Sequence, residues 1–160
     1  MIVITGVSGG IGKKIAVELS NYDSVIGIYS SNKVFFERRS ISTIKLNLND
    51  EQSIIEFVKN SHLTRITVIH LATVSINGLI ANYSRSNWDH TIDVNITGNY
   101  LITKHLLPIM INEKWGRIIH FSSVVAQKGE RGAIAYGMSK SAISGFSSGL
   151  SQEYGRFNIT

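Results

Sequence analysis

The chain has 160 residues, 43% hydrophobic and 17% charged, with a single proline and no cysteine. That length suffices for the core of one ordinary domain, the composition excludes extended disorder, and the missing cysteines exclude a disulfide framework and a thiolate zinc site. The net charge of +5 suits an anionic ligand or an acidic partner, but basic residues form no long run and do not interleave with aromatics, which argues against nucleic-acid binding.

Short β-branched runs alternate with segments of helical period, the sign of stacked βαβ units and a parallel sheet. Strands are expected at Ile2 to Thr5, Ser24 to Tyr29, Ile41 to Leu48, Arg65 to Leu71 and Arg117 to Phe121. Their nearly unbroken apolar character suits burial on both faces. Helices are expected at Gly10 to Ser20, Asp50 to Ser61, Ser84 to Asn112 and Ala135 to Tyr154, with a weak one near Val34 to Arg39 and Asp50 as an N-cap. Within the longest segment, Trp88, Ile92, Ile96 and Tyr100 recur at four-residue steps, a stripe that would face the sheet, and Pro108 would kink the helix late. The start carries no basic, apolar leader and no eighteen apolar residues run together, so the expectation is a cytoplasmic protein without a membrane span.

Three stretches carry chemistry. Directly after the first strand comes Thr5-Gly6-Val7-Ser8-Gly9-Gly10-Ile11-Gly12, a glycine-rich turn opening a helix. Such a turn lets the backbone approach a pyrophosphate, whose charge meets the free N–H groups at the helix start. Farther on, Tyr136 and Lys140 lie four residues apart and so share one helix face. Ser122 and Ser123 end the fifth strand, where open α/β sheets place their ligand crevice. The five histidines, His62, His70, His90, His105 and His120, are scattered without ligand-pair spacing, so no metal is assigned.

Taken together, Thr5-Gly6-x-x-x-Gly10-Ile11-Gly12, Ser123 and Tyr136-x-x-x-Lys140 resemble the short-chain dehydrogenase/reductase family over the whole chain. The resemblance implies a doubly wound, Rossmann-like α/β fold of three layers, with residues 1–160 as one nucleotide-binding domain. It implies a catalytic set of Asn95, Ser123, Tyr136 and Lys140. Ser123 rather than Ser122 is chosen because the family's serine stands thirteen positions before its tyrosine. Tyr136 would protonate a carbonyl oxygen as hydride arrives, Ser123 would hold that oxygen, and Asn95 would position a water linking Lys140 to solvent. Lys140 would hold the nicotinamide ribose, and its charge would favour proton release by the phenol.

Cofactor contacts would come from Gly6, Ser8, Gly9, Gly10, Ile11, Gly12, Ser30, Ser31, Asn47, Leu48 and Ala72, besides Tyr136 and Lys140. The second strand ends in Ser30-Ser31-Asn32-Lys33 without the acid that NAD enzymes usually place there. Ser30 and Ser31, with charge from Lys33 or Arg38, favour NADP(H), while Gly9 lacks a basic residue many NADP users carry and leaves NAD(H) open. His70-Leu71-Ala72-Thr73 stands where the family often has Asn-Asn-Ala-Gly, and Asn47 replaces an adenine-contacting Asp.

In its Val124-Val125 loop and overall run the chain is most similar to 3-oxoacyl-(acyl-carrier-protein) reductases, so the expected reaction is reduction of a carbonyl, with the substrate carried on acyl carrier protein as one choice. A nucleotide-binding or assembly module without catalysis is the alternative. Homo-oligomers through the two long helices are expected by resemblance. The chain stops where the family would enter its sixth strand, so the expectation is a C-terminally incomplete domain, with the fifth strand left as an edge.

Overall fold

The computed structural model describes residues 1–160. Five parallel strands, β1 (Ile2–Thr5), β2 (Val25–Tyr29), β3 (Ile41–Lys45), β4 (Thr67–His70) and β5 (Arg117–His120), lie in the order β3-β2-β1-β4-β5. Ile2 of β1 stands opposite Val25 on one side and Thr67 on the other. The chain thus winds outward from β1 to β3 and then returns to build the other half. That reversal beside β1 is where a doubly wound sheet opens a ligand crevice.

The helices are α1 (Gly10–Leu19), α2 (Glu51–Asn60), α3 (Arg85–Ile92), α4 (Gly98–Glu113), α5 (Val125–Lys128) and α6 (Ile134–Tyr154). Strand side chains alternate between faces, and the core divides accordingly. Val3, Ile28 and Val68 pack with Ile54 and Phe57 of α2 and with Ile102, Leu106 and Met110 of α4. Leu150 and Tyr154 bring α6 onto the same face. Ile2, Ile4, Val25 and Ile69 point the other way and meet Ala16 of α1. The layers are unequal: Ile119 of β5 lies on the α1 side and is 43% exposed.

Local signals explain most boundaries. Asp50 caps α2 as expected, its carboxylate accepting from the Ser53 N–H (3.2 Å) and hydroxyl (2.5 Å). Five expectations need correction. Residues 34–39 form no helix, because Val34 is used as a buried anchor and the segment only bridges β2 and β3. The segment from Ser84 is two α-helices joined by a wide π-turn at Asp93–Thr97. In consequence the buried face carries Thr91, Asn95, Gly98 and Asn99, whereas Trp88, Ile92 and Ile96 are only half-buried and Tyr100 is exposed. The break comes at this turn, not at Pro108, and α4 continues past the proline to Glu113.

The last correction concerns β5. Gly116 accepts from the Thr160 N–H (3.1 Å) and donates to Asn158 O (3.3 Å), while the Ile118 N–H reaches Thr160 O (2.8 Å). Ile159 is buried in the larger cluster. Asn158–Thr160 therefore form a parallel bridge beside the start of β5, and the edge is not left bare along that stretch. None of the helices is long and apolar enough to cross a membrane.

Candidate functional site

At the C-terminal ends of the strands lies a cleft of about 720 Å³. Gly6, Ser8, Gly9, Gly10, Ile11 and Gly12 line it from the first turn, Ser30 and Ser31 from the end of β2, Asn47 and Leu48 from beyond β3, and Ala72 from beyond β4. Tyr136 and Lys140 line it from α6. The whole expected nucleotide set thus faces one space.

The turn is built by close backbone approach. Gly6 has φ +70°, and a Cβ there would sit 2.6 Å from Ala72 N. Thr5 Oγ1 accepts from the N–H groups of Leu71 and Ala72, both at 3.1 Å, which locks the ends of β1 and β4 together. A Cβ on Gly12 would lie 2.5 Å from Gly6 O. Gly9 and Gly10 differ: the chain leaves ordinary or open space at both. No side chain caps the start of α1. The bare glycines and uncapped N–H groups therefore leave room and donors for an external anion, which fits a pyrophosphate.

At the adenosine end, Asn47 Oδ1 accepts from the Asn49 N–H (3.1 Å), so one acceptor site and its amide donors remain. Ser30 and Ser31 are exposed in the cleft. The expected sources of positive charge are turned elsewhere. Lys33 Nζ lies over the Phe35 ring at 4.8 Å, and Arg38 bonds Asn21 Oδ1 and Ser20 Oγ beyond α1. Neither lines the cleft.

At the other end, Lys140 is 6% exposed, donates to Phe121 O (2.9 Å), and stands 5.8 Å from the Tyr136 ring centre. Burial lowers its pKa from the ordinary lysine value. Ser122 lines the cleft and donates to Lys140 O (3.1 Å). Ser123 accepts from the Val125 N–H (3.3 Å) at the start of α5 and keeps its own proton to donate. It is half-buried and stands outside the cleft lining.

Asn95 is 1% exposed and fully committed. Its Nδ2 donates to Val74 O and Ser139 Oγ, both at 2.9 Å, and its Oδ1 accepts from the Val74 N–H (2.8 Å) and the Thr73 hydroxyl (3.1 Å). The amide thus ties the segment after β4 to α6, with no valence left for a water. Asn99 Nδ2 takes the Asn95 main-chain carbonyl at 2.6 Å. This side-chain competition for backbone bonding accompanies the π-turn.

Sequence reasoning missed His90 and Val94, which line the cleft. Val94 adjoins Asn95, a cue that was available; the exposed His90 had none. It also missed that His70 and His120 meet. They stand opposite each other in the β4–β5 register and stack at 4.7 Å between ring centres, 15° apart. His70 therefore points away from the cofactor side, and Leu71 takes its place in the cleft.

Burial lowers the pKa of both rings, with the Lys140 charge adding to it: His70 falls well below its ordinary value and His120 falls to about 4. An unfolded chain takes up these protons near 6.5. Their contribution is therefore fully present above pH 6.5 and is lost as pH falls through about 4. Melting temperature is expected to drop over that window, with His120 contributing at most ~3 kcal/mol. The drop should be visibly smaller in His120→Phe, and an identical pH dependence in that variant would exclude the ring as a source.

The family model described as short chain dehydrogenase matches residues 1–160. Among curated proteins, the 3-oxoacyl-(acyl-carrier-protein) reductase FabG of Buchnera aphidicola subsp. Schizaphis graminum is 30% identical, over 99% of this chain and 68% of its own length. Nodulation protein G of Rhizobium sp. (strain N33) shows the same figures, and FabG of Aquifex aeolicus is 29% identical over 99% of this chain and 59% of its own. The chain thus spans roughly three fifths to two thirds of these relatives. Among solved structures, ElxO with NADP bound superposes with a TM-score of 0.86 at 26% identity, covering 99% of this chain and 69% of that one. A short-chain dehydrogenase from Streptomyces avermitilis gives 0.90 at 23% identity, covering 99% and 63%, a likeness of fold.

Proposed function

Because this chain belongs to the short-chain dehydrogenase/reductase family of NAD(P)-dependent oxidoreductases, we propose that its cleft binds NADP(H) and serves the reduction of a carbonyl to an alcohol. The observation that carries this reading is the meeting, in one cleft, of the bare, uncapped glycine turn with the Tyr136–Lys140 pair. A bound nicotinamide would supply the hydride. The chain's part is to orient the substrate and deliver a proton. Tyr136, whose hydroxyl has no partner within the chain, gives its proton to the carbonyl oxygen, and Ser123 donates a hydrogen bond to that oxygen. Lys140, fixed by Phe121 O, places its charge beside the phenol. Asn95 acts by position, joining the segment after β4 to the helix that carries Tyr136 and Lys140.

NADP(H) over NAD(H) rests on the end of β2, where two serines and no acid are offered. With Lys33 and Arg38 directed away, a 2′-phosphate would be held by the Ser30 and Ser31 hydroxyls rather than by an ion pair. Ser30→Asp is expected to shift the NADPH to NADH affinity ratio at least tenfold toward NADH, since a carboxylate accepts from a ribose hydroxyl and repels a phosphate. Fluorescence titration with both nucleotides measures it, and an unmoved ratio would clear Ser30 of the selection.

The substrate class favoured is a 3-ketoacyl thioester. The similarity to 3-oxoacyl-(acyl-carrier-protein) reductases supports it, and the net charge of +5 suits an acidic carrier. A screen of 3-ketoacyl thioesters, diketones and ketosugars for NADPH oxidation decides. The partly covered Trp88, Ile92, Ile96 and exposed Tyr100 support a homo-oligomer through these helices.

A further inference from the structure

Ser139 is wholly buried inside α6, between Tyr136 and Lys140 in the chain. Packing and helix propensity alone would favour alanine at such a place, and a hydroxyl taken out of water has to be bonded. Its oxygen accepts from Asn95 Nδ2 (2.9 Å), while its proton goes to the main-chain carbonyl of Tyr136 (2.7 Å). One side chain thus carries a bond from the π-turn to the backbone of the residue that would act as the acid.

The far side of Asn95 gives this bond its consequence. Asn95 grips Val74 by both main-chain groups and takes the Thr73 hydroxyl as well. Thr73 and Val74 line the cleft from the segment after β4, and Tyr136 and Lys140 line it from α6. Val74, Asn95, Ser139 and the Tyr136 carbonyl therefore form one unbroken chain of hydrogen bonds between two walls of the cleft. No side chain caps the start of α6, so the turn that carries Tyr136 relies on ties of this kind.

We propose that Ser139 is a positioning residue for the reaction: its hydroxyl sets the separation of these two walls, and with it the place of the Tyr136 phenol against the carbonyl that it protonates. The role in the reaction rests on the reductase reading; the tie itself is a property of the packing. Without the hydroxyl, Asn95 Nδ2 loses one of its two acceptors in a buried site, and the segment that Asn95 holds is free to part from α6. The nucleotide contacts expected at Ser30, Ser31 and Asn47 lie outside this chain of bonds. A misplacement of ~1 Å costs about 10² in rate, so the loss falls on turnover rather than on affinity.

The test compares the parent with Ser139→Ala and Ser139→Cys by NADPH oxidation with a 3-ketoacyl thioester, fluorescence titration with NADPH, and amide hydrogen exchange. Alanine is expected to lower kcat by about tenfold or more at saturating NADPH, with nucleotide affinity kept within about threefold. Cysteine fills the site but bonds weakly, so it is expected to fall with alanine, whereas a packing role alone would leave it with the parent. Combined with Asn95→Ala, the double variant is expected to lose no more turnover than Asn95→Ala alone, within about twofold. The Val74 N–H, held by Asn95, is expected to exchange about tenfold faster in Ser139→Ala with no substrate present. Parent-like turnover in a folded alanine variant, a cysteine variant that behaves as the parent, or losses that multiply in the double variant overturn the positioning role. Unchanged exchange overturns the tie. Should the alanine or Asn95 variants fail to fold, turnover and exchange in the cysteine variant decide. A parent that neither binds NADPH nor reduces a carbonyl overturns the reductase reading instead, and exchange then decides the tie alone.

Discussion

Tyr136→Phe is expected to bind NADPH within about twofold of the parent while losing ~10² to 10⁴ in turnover, the range a positioned general acid supplies. The separation of effects follows from the geometry. The ring stays beside Lys140 and the cleft keeps its shape, because nothing within the chain bonds the hydroxyl that is removed. Only the proton delivered to the carbonyl oxygen disappears. The check is NADPH oxidation with a 3-ketoacyl thioester beside a fluorescence titration. Full turnover would assign the proton to another group, and a joint loss of affinity would make the phenol a cofactor contact first.

Gly12→Ala carries the second large effect, and two opposing forces set its sign. Alanine is the better helix former by ~1 kcal/mol, and Gly12 lies inside α1. Against that gain, its Cβ would stand 2.5 Å from Gly6 O and 2.9 Å from Val7 Cα. Both are backbone atoms, which cannot rotate aside, so α1 has to lift from the turn. Overpacking of this kind costs ~1–3 kcal/mol, and the N–H groups at the helix start move with it. Loss of stability with NADPH affinity weakened at least tenfold is expected from thermal melting and titration. The same change at Gly10, where the chain offers open space, should cost little stability yet still weaken the nucleotide. Equal nucleotide affinity in the Gly10 variant would mean that the turn does not approach the pyrophosphate.

The fold was legible because strand and helix signals sit on local spacing. β1 matches its expected limits, the remaining strands fall within theirs, and Asp50 caps α2 where an N-cap was read. The π-turn was not legible, since one extra residue in a turn leaves an apolar repeat looking helical on both sides, and the choice of buried face was lost with it. The residues expected to meet a nucleotide all line one cleft, so that grouping was legible as motif. Electrostatic partners were not: Lys33 and Arg38 stand close in sequence to Ser30, yet Phe35 and Asn21 take them. The histidine stack was equally hidden. Fifty residues separate His70 from His120, and only the strand register brings them together.

The wide turn at Asp93–Thr97 makes this part of the molecule sensitive to the number of residues it holds rather than only to their kind. Each helical residue advances the chain by about 100°, so adding a further residue there, or losing one outside the turn that absorbs the excess, would rotate α3 against α4 by more than a quarter circle. Either Asn95 swings off Val74 or the sheet-facing Leu101, Ile102 and Leu106 leave their seats. Homologous proteins should therefore exchange side chains along this segment far more freely than they gain or lose length, and an alignment gap placed inside it would mark a misalignment or a different site.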